Sequence, residues 1–206
     1  MEQQKIILKE SILVIILIGI TLFLIFVFYF SLKNSTKTDT TPLAENNTIV
    51  HKQKNNKPGI PVRLTIPNIK VDATISQVGL TTDGAMDTPK TPTSTAWFKL
   101  GPRPGDIGSA VIDGHFGWGD GIVAVFDNLY KLKSGDKLYI EDDKGNTIIF
   151  VVQKLKTYDQ NDYAKEVFYS NDNKSHLNLI TCQGAWDKIE KSYSKRLIIF
   201  ADKEIK

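Results

Sequence analysis

Hydrophobic residues form one long unbroken run near the start of the chain and many short runs after residue 59. The long run extends from Ser11 to Leu32 and holds 22 residues without a charge. A helix of that length spans roughly 33 Å, which matches the roughly 30 Å of a bilayer's hydrocarbon core. A cleaved signal peptide is the alternative, but its apolar region is shorter and ends at a small-x-small site, which this run lacks. The pattern predicts a single N-terminal transmembrane helix over residues 11–32.

The short runs predict strands, because they are rich in β-branched residues and are bounded by Gly, Pro and Asn. Lys144 to Asn146 is typical of a hairpin turn between two of them. Helical patterns are weak and short, around Val123 to Leu132 and Asp162 to Phe168. We therefore predict a mainly β domain, either a barrel or a sandwich, with short helical insertions. The predicted strands are Val62 to Ile66, Val71 to Val78, Gly108 to Ile112, Lys137 to Glu141, Thr147 to Thr157, Leu177 to Cys182 and Arg196 to Ala201.

Composition divides the rest of the chain. Residues Lys33 to Pro58 are rich in Lys, Asn, Thr and Gln, and they hold too few large apolar residues to offset the entropy of ordering. We predict a flexible linker at 33–58 and a short N-terminal flank at 1–10. The 148 residues from Gly59 to Lys206 are enough for one domain with its own core. Lysines flank the long apolar run on both sides, so charge does not decide which end is cytoplasmic.

Charge and glycine patterns exclude two classes of partner. The formal net charge of +3 is spread along the chain, without a dense block of Lys and Arg after residue 59. We therefore expect no nucleic-acid partner. Gly117, Gly119 and Gly121 form a Gly-x-Gly-x-Gly run, but no clear helix follows it. A turn explains this run better than a phosphate-binding loop does.

Cys182 is the only cysteine of the chain and ends the apolar run that begins at Leu177. A single thiol forms no internal disulfide and supplies no thiolate-rich metal site, so catalysis and packing remain as its two possible roles. Of the three histidines, His51 lies in the predicted linker, and His176 lies six residues before the thiol, roughly 20 Å away along an extended strand. His115 follows a predicted strand in a glycine-containing loop, where catalytic side chains tend to lie. It is the better candidate to partner the thiol.

Several stretches of the sequence resemble the sortases, the cysteine transpeptidases of Gram-positive surfaces. Leu179 to Cys182, followed by Arg196 in a second apolar run, is similar to the signature of that family. Leu64 to Ala73 resembles its opening strands, and Ala110 to His115 resembles its histidine strand. The likeness covers nearly the whole predicted domain, and the stretch Val78 to Gly105 looks closest to the class E and F groups.

The resemblance implies an eight-stranded β-barrel with Cys182 as the nucleophile, His115 as the histidine and Arg196 as the arginine of the site. It also implies cleavage of an LPXTG-like sorting signal between Thr and Gly, and transfer of the acyl chain to a cell-wall precursor amine or a pilin lysine. A thiolate, an imidazolium and a guanidinium suit attack, leaving-group protonation and oxyanion binding. With ordinary pKa values, about 3% of the thiol and about 25% of the imidazole are charged at pH 7. Either the fold raises these fractions or the enzyme is slow.

Other residues are assigned by the same likeness. Lys156 to Ser175 corresponds in position to the loop that grips the sorting signal in sortases. We expect Thr181 to bind substrate through a hydrogen bond, although an ordinary β-branched strand residue explains it equally well. No acidic cluster matches the calcium site of class A members, so we expect no metal and no cofactor.

The expected partners are surface proteins with sorting signals and a peptidoglycan precursor amine. Both are found outside the cell, so we expect a single-pass membrane protein with an extracellular catalytic domain. The linker contains no Asp-Pro-Trp-type lid of the kind that pilus-building sortases often carry, which favours anchoring over pilin polymerisation. A membrane-anchored cysteine hydrolase that releases the acyl group to water stays open, as does a non-enzymatic binding domain with Cys182 in its core.

Overall fold

Eight strands close into a barrel within residues 57–205, which the computed structural model describes together with Ile20, Thr21, Phe23 and Phe26. Their order around the barrel is β1-β2-β3-β4-β7-β8-β6-β5, and β5 pairs with β1 to close the sheet. The eight-stranded barrel that the resemblance implied is confirmed. The strands are β1 (Pro61–Ile66), β2 (Val71–Val78), β3 (Thr95–Phe98), β4 (Gly108–Gly114), β5 (Lys137–Asp142), β6 (Thr147–Asp159), β7 (Ser175–Asp187) and β8 (Ser192–Lys203).

Two strand pairings are parallel, β2 with β3 and β4 with β7, and the other six are antiparallel. A parallel pair requires a long crossover between its strands. Residues 115–174 provide the crossover from β4 to β7, and they include β5 and β6. The pairing of β4 with β7 therefore depends on the completed barrel rather than on a local turn.

The strands extend beyond most of the apolar runs that predicted them. β4 continues to Gly114, two residues past its predicted end, and β7 continues to Asp187 as one arm of a hairpin with β8. The short strand β3 was missed, because four residues are too few to show a strand's period of two.

Helical segments are short, as the sequence indicated. Within residues 57–205, three 3₁₀ helices occupy Pro67–Ile69, Gly119–Gly121 and Leu129–Lys131, and one α-helical turn occupies Lys165–Phe168. The predicted hairpin turn joins β5 to β6, and Gly145 adopts φ of +75° there, a conformation that favours glycine.

Side chains alternate between two apolar clusters, one inside the barrel and one on its outer face. On β7, Leu177 and Leu179 point into the interior cluster. The outer cluster joins Val111 of β4 and Ile198 of β8 to Val167 of the α-helical turn. This turn therefore covers part of the outer face, where burial of Val167 stabilises it against the sheet by about 1.5–3 kcal/mol.

By its internal contacts the chain divides into the units Met1–Lys52 and Gln53–Lys206, and the barrel belongs to the second. The predicted flank (1–10), membrane anchor (11–32) and linker (33–58) lie outside the described residues, except for the four helical positions named above and residues 57 and 58. Among the residues that are described, no helix is long and apolar enough to cross a membrane.

Candidate active site

The candidate residues meet on the outer face, where β4, β7 and β8 lie side by side. Cys182 on β7 is directly opposite Arg196 on β8 in the antiparallel register. The parallel register of β4 with β7 ends at the pair of Asp113 with Ile180, and His115 and Cys182 each follow that pair by two residues. Because Leu179 points inward and side chains alternate, the free, half-buried thiol of Cys182 points outward. The structure thus brings together the three residues that the sequence singled out.

Thr181, in the middle of β7, ties this strand to the end of β4, directly before His115. Its side chain is only 1% exposed, and its Oγ1 donates a hydrogen bond of 2.7 Å to the carbonyl oxygen of Gly114. Gly114 in turn has no room for a Cβ atom, because the ring of buried Phe126 fills that space. The backbone at Gly114 is therefore held in place directly before His115. The substrate-binding role of Thr181 stays a prediction.

His115 is held through its Nε2 atom, which lies 2.7 Å from the carbonyl oxygen of Pro89. A carbonyl oxygen only accepts hydrogen bonds, so Nε2 carries a proton and donates it. The ring also makes an edge-to-face contact with Trp118, with 4.7 Å between ring centroids. These two contacts leave Nδ1 as the atom for proton transfer.

Arg196 is bound to the main chain of its own strand. Nη1 donates to the carbonyl oxygens of Tyr193 at 2.8 Å and Lys195 at 2.9 Å, and Nη2 lies 3.4 Å from Ser192 Oγ. These contacts engage three of the five N–H donors of a guanidinium. Within residues 57–205, no carboxylate lies within ion-pair distance of Arg196. Its charge and its remaining donors therefore stay available for a substrate oxygen.

The thiol of Cys182 is protonated in the resting site. Burial raises the pKa of Cys182, the positive charge of Arg196 lowers it, and the negative charge of Asp113 raises it; the net effect is a raised pKa. The fold therefore does not increase the thiolate fraction above that of an ordinary cysteine. Of the two alternatives that the sequence left open, the structure supports a site that is rarely in its charged form before substrate binds.

Asp113 is a site residue that the sequence did not identify. Burial raises the pKa of its carboxyl to about 7, although a hydrogen bond from the Gly114 N–H and the charge of Arg196 both lower it. The signal in the sequence was its position two residues before His115, which places both on one face of a strand if the strand continues that far. The predicted end of β4 at Ile112 concealed this relation.

Aromatic rings surround the site on the side of the β7–β8 hairpin. Tyr193 makes edge-to-face contacts with Phe116 at 5.4 Å and with Trp186 at 5.0 Å between centroids. Trp118 and Trp186 are both substantially exposed. These exposed rings form an apolar border of the site. A substrate bound there can contact the thiol.

The other two histidines do not belong to this site. His176 lies near the start of β7, where Nε2 is 2.9 Å from Asp172 and Nδ1 is 2.7 Å from Asp202. Burial lowers the pKa of His176, but both carboxylates raise it, and the net pKa is raised. His51 lies outside the described residues.

The segment that was predicted to grip the sorting signal lies on the outer face next to the site. Asn178 Nδ2 donates a 2.6 Å hydrogen bond to the carbonyl oxygen of Val167, which fixes the α-helical turn to β7. Glu166 of the same turn accepts from Tyr158 at 2.6 Å and from Lys156 at 3.0 Å. Among the described residues, no group of three or more His, Cys, Asp or Glu side chains is arranged to hold a metal ion.

A barrel with Cys182 and Arg196 on adjacent strands, and with His115 directly after the strand β4 that pairs with β7, is the arrangement that the sequence resemblance implied. The family profile of the sortase domain matches residues 64–204. The chain belongs to the sortase family. Sortases are cysteine transpeptidases, so the lone thiol belongs to an enzyme of that class. A non-enzymatic binding domain with a structural cysteine is thereby set aside.

Solved sortase structures share this fold. Sortase A from Corynebacterium diphtheriae is 23% identical with a TM-score of 0.56, and the match covers 72% of this chain and 62% of that one. Sortase C-1 from Actinomyces oris has the same identity of 23% and TM-score of 0.56, with coverage of 71% and 76%. Sortase C1 from Streptococcus agalactiae, in complex with MTSET, is 22% identical with a TM-score of 0.55, covering 70% of this chain and 67% of that one.

This chain thus spans less than two thirds of the Corynebacterium protein, at 62%. Among curated proteins, none matches the sequence. At these identities, the structural likeness shows the fold and not the substrate. The class E or F subtype, the sorting signal and the acceptor therefore belong to the proposal below.

The contact between His115 and Pro89 predicts the tautomer of the neutral ring. We expect long-range ¹H–¹⁵N NMR of the full chain, at alkaline pH, to show the proton of the neutral His115 ring on Nε2. His176 is an internal reference, because its two nitrogens face two carboxylates. The ring signals that are absent from the spectrum of the His115→Gln variant are those of His115. A neutral His115 with its proton on Nδ1 would contradict the role of the Pro89 carbonyl.

Thr181→Val tests the hydrogen bond between Thr181 and Gly114. The change keeps the β-branched shape but leaves the buried Gly114 carbonyl without its donor, so we expect the free energy of unfolding to fall by about 1–2 kcal/mol. Chemical denaturation of the full chain measures this. The control Thr147→Val, at an exposed position of β6, is expected to change stability by less than about 0.5 kcal/mol. An unchanged stability with a raised KM for peptide would instead support the predicted contact between Thr181 and substrate.

Proposed function

We propose that the chain is a membrane-anchored sortase that cleaves an LPXTG-like sorting signal between Thr and Gly and transfers the acyl chain to a cell-wall precursor amine. The observation that carries the proposal is the direct cross-strand pairing of Cys182 with Arg196, and it is supported by the parallel ladder of β4 with β7, whose last pair precedes His115 and Cys182 by two residues each. The family match supports a transpeptidase of this kind.

The first half of the reaction forms a thioester. The sulfur of Cys182, as thiolate, attacks the threonyl carbonyl carbon, and the carbonyl oxygen becomes an oxyanion. The free N–H donors of Arg196 are placed to stabilise that charge, since Arg196 lies opposite the thiol. His115, as imidazolium, gives its Nδ1 proton to the nitrogen of the breaking Thr–Gly bond, and the glycine amine leaves.

The second half of the reaction reverses the proton transfer. An acceptor amine attacks the thioester carbonyl, neutral His115 takes a proton from it at Nδ1, and the thiolate of Cys182 leaves as the new amide forms. Nε2 stays bound to Pro89 through both halves, so the ring keeps one orientation while Nδ1 alternates between acid and base. The reaction needs no metal and no redox step.

The substrate class is inferred from the sequence. The sequence between Val78 and Gly105 resembles class E and F sortases, and we propose that subtype for this chain. The linker sequence, which carries no Asp-Pro-Trp segment, supports anchoring rather than pilin polymerisation. Surface proteins with sorting signals and a peptidoglycan precursor are the proposed partners.

Intact-mass spectrometry tests the proposed reaction. The full chain, mixed with LPXTG-type peptides, is expected to gain the mass of the peptide cut after Thr, and Cys182→Ala is expected to gain nothing. Addition of a glycine peptide as acceptor amine should clear the adduct into a new peptide product.

The acceptor then separates the alternatives. Clearance by a peptide lysine but not by a glycine amine would indicate a pilin-polymerising enzyme, and equal clearance by water alone would indicate a hydrolase. No adduct with any LPXTG-type peptide, from a folded chain, would contradict the proposed sorting signal. An adduct on Cys182→Ala would contradict the assignment of the nucleophile.

We also propose that residues 11–32 anchor the chain and that the catalytic domain lies outside the cell. A reporter enzyme that is active only outside the cell, fused after Lys206, is expected to be active in bacteria that express the full chain. The matched control carries a reporter that is active only in the cytoplasm. Activity of the cytoplasmic reporter alone would contradict this orientation.

A further inference from the structure

Asp113 lies on the same outer face as the catalytic residues. Ala110 and Ile112 of β4 point into the interior cluster, and Val111 points into the outer one, so alternation directs Asp113 outward. Its partner in the parallel register is Ile180, which precedes Cys182 by two residues on the same face. Asp113 and Cys182 are therefore diagonal neighbours across two strands, about 7–8 Å apart at the backbone.

The groups around Asp113 come from both adjoining strands and from β8. Across the β3–β4 ladder its partner is Ala96, which carries no charge. On β7 the ionisable neighbour is Cys182, and on β8 it is Arg196, whose positive charge acts on the carboxyl. Along β4 itself, His115 is the next residue on the same face.

The segments that pack over this face carry further charged side chains. These side chains either contact other groups or lie away from Asp113. In the α-helical turn, Lys165 lies over the ring of Tyr169, and Glu166 accepts from Lys156. The loop between β2 and β3 carries Asp87, whose Oδ1 accepts from the Thr88 N–H, and Lys90. Among the described residues, Arg196 is the charged group that acts on the carboxyl of Asp113.

We propose that Asp113 is a fourth ionisable member of the site, a positioning residue that sets the pH range in which the thiolate of Cys182 and the imidazolium of His115 coexist. The proposal rests on the proposed function, because it takes those two residues as the reacting pair. Asp113 itself does not touch the substrate carbonyl. It acts through the charges of its two neighbours.

The direction of the effect follows from the sign of the charge. A carboxylate opposes formation of the thiolate, so it moves the titration of Cys182 to higher pH. The carboxyl of Asp113 has a pKa of about 7, so it is ionised on the alkaline side of neutrality and largely protonated below it. Its influence is therefore greater on the alkaline limb of the activity profile than on the acid limb. A thiolate–imidazolium pair works in the range between the two limbs.

Asp113→Asn removes the charge and keeps the shape. The pH dependence of iodoacetamide alkylation of Cys182, in the full chain without substrate, measures the thiol alone. We expect its midpoint to move down by about 0.5–1 pH unit, which raises the alkylation rate by about three- to tenfold on the alkaline side of neutrality, where Asp113 is ionised and Cys182 is still mostly protonated. In peptide cleavage, the alkaline limb of kcat/KM is expected to move down by a similar amount and the acid limb by less.

Two further variants separate charge from packing. Asp113→Glu keeps the charge and is expected to keep a profile near that of the parent chain. Asp72→Asn removes an exposed carboxyl that pairs with Arg63 on β1, and it is expected to leave both profiles unchanged. If Asp113→Asn does not fold, Asp113→Ser carries the same alkylation test.

An alkylation midpoint that is unchanged or moves to higher pH in the neutral variant would overturn the role of Asp113. Equal shifts in the Asn and Glu variants would overturn it as well, since they would indicate packing rather than charge. Failure of the parent chain to form a peptide adduct would instead count against the proposed function. The alkylation result does not depend on that outcome, because it needs no peptide.

Discussion

The parallel pairing of β4 with β7 determines where the chemistry of this protein takes place. His115 and Cys182 are far apart in sequence, and this pairing brings the segments that carry them together, because each follows the last pair of the ladder by two residues. The register is fixed by the buried hydrogen bond from Thr181 to Gly114, which joins the two strands one residue before each reacting group. A slip of one residue would exchange the inward and outward side chains of β7 and turn the thiol toward the interior.

The crossover that this parallel pairing requires also supplies the wall of the site. Residues 115–174 must travel around the barrel before β7 begins, and their last part forms the α-helical turn against the outer face. Val167 anchors that turn in the outer cluster, and its carbonyl oxygen accepts from Asn178 on β7. The covering of the outer face is thus a consequence of the topology, since a tight hairpin between the strands would leave the face open.

The sequence predicted the parts of this structure that depend on side-chain pattern. Apolar runs marked seven strands, and the lone thiol with His115 and Arg196 marked the site through the sortase resemblance. Features that depend on strand length or on the main chain were not visible. β3 is too short to show a period, and the end of β4 was placed before Asp113, so the face of that carboxyl was not inferred. The Pro89 carbonyl that holds His115 has no side-chain signal at all.

Geometry and electrostatics at this site come from different sources. The hydrogen bonds that hold Thr181, His115 and most of those that hold Arg196 end on main-chain carbonyl oxygens, which every residue supplies. Such contacts survive changes of sequence, which accords with a fold shared at 23% identity with two solved sortases. The charges of the site do not survive changes of sequence in this way, because each depends on a single side chain. Arg196 lowers the pKa of the Cys182 thiol while burial and Asp113 raise it. A substitution at Asp113 therefore alters the balance of charges in the site without moving the backbone that positions the reacting atoms.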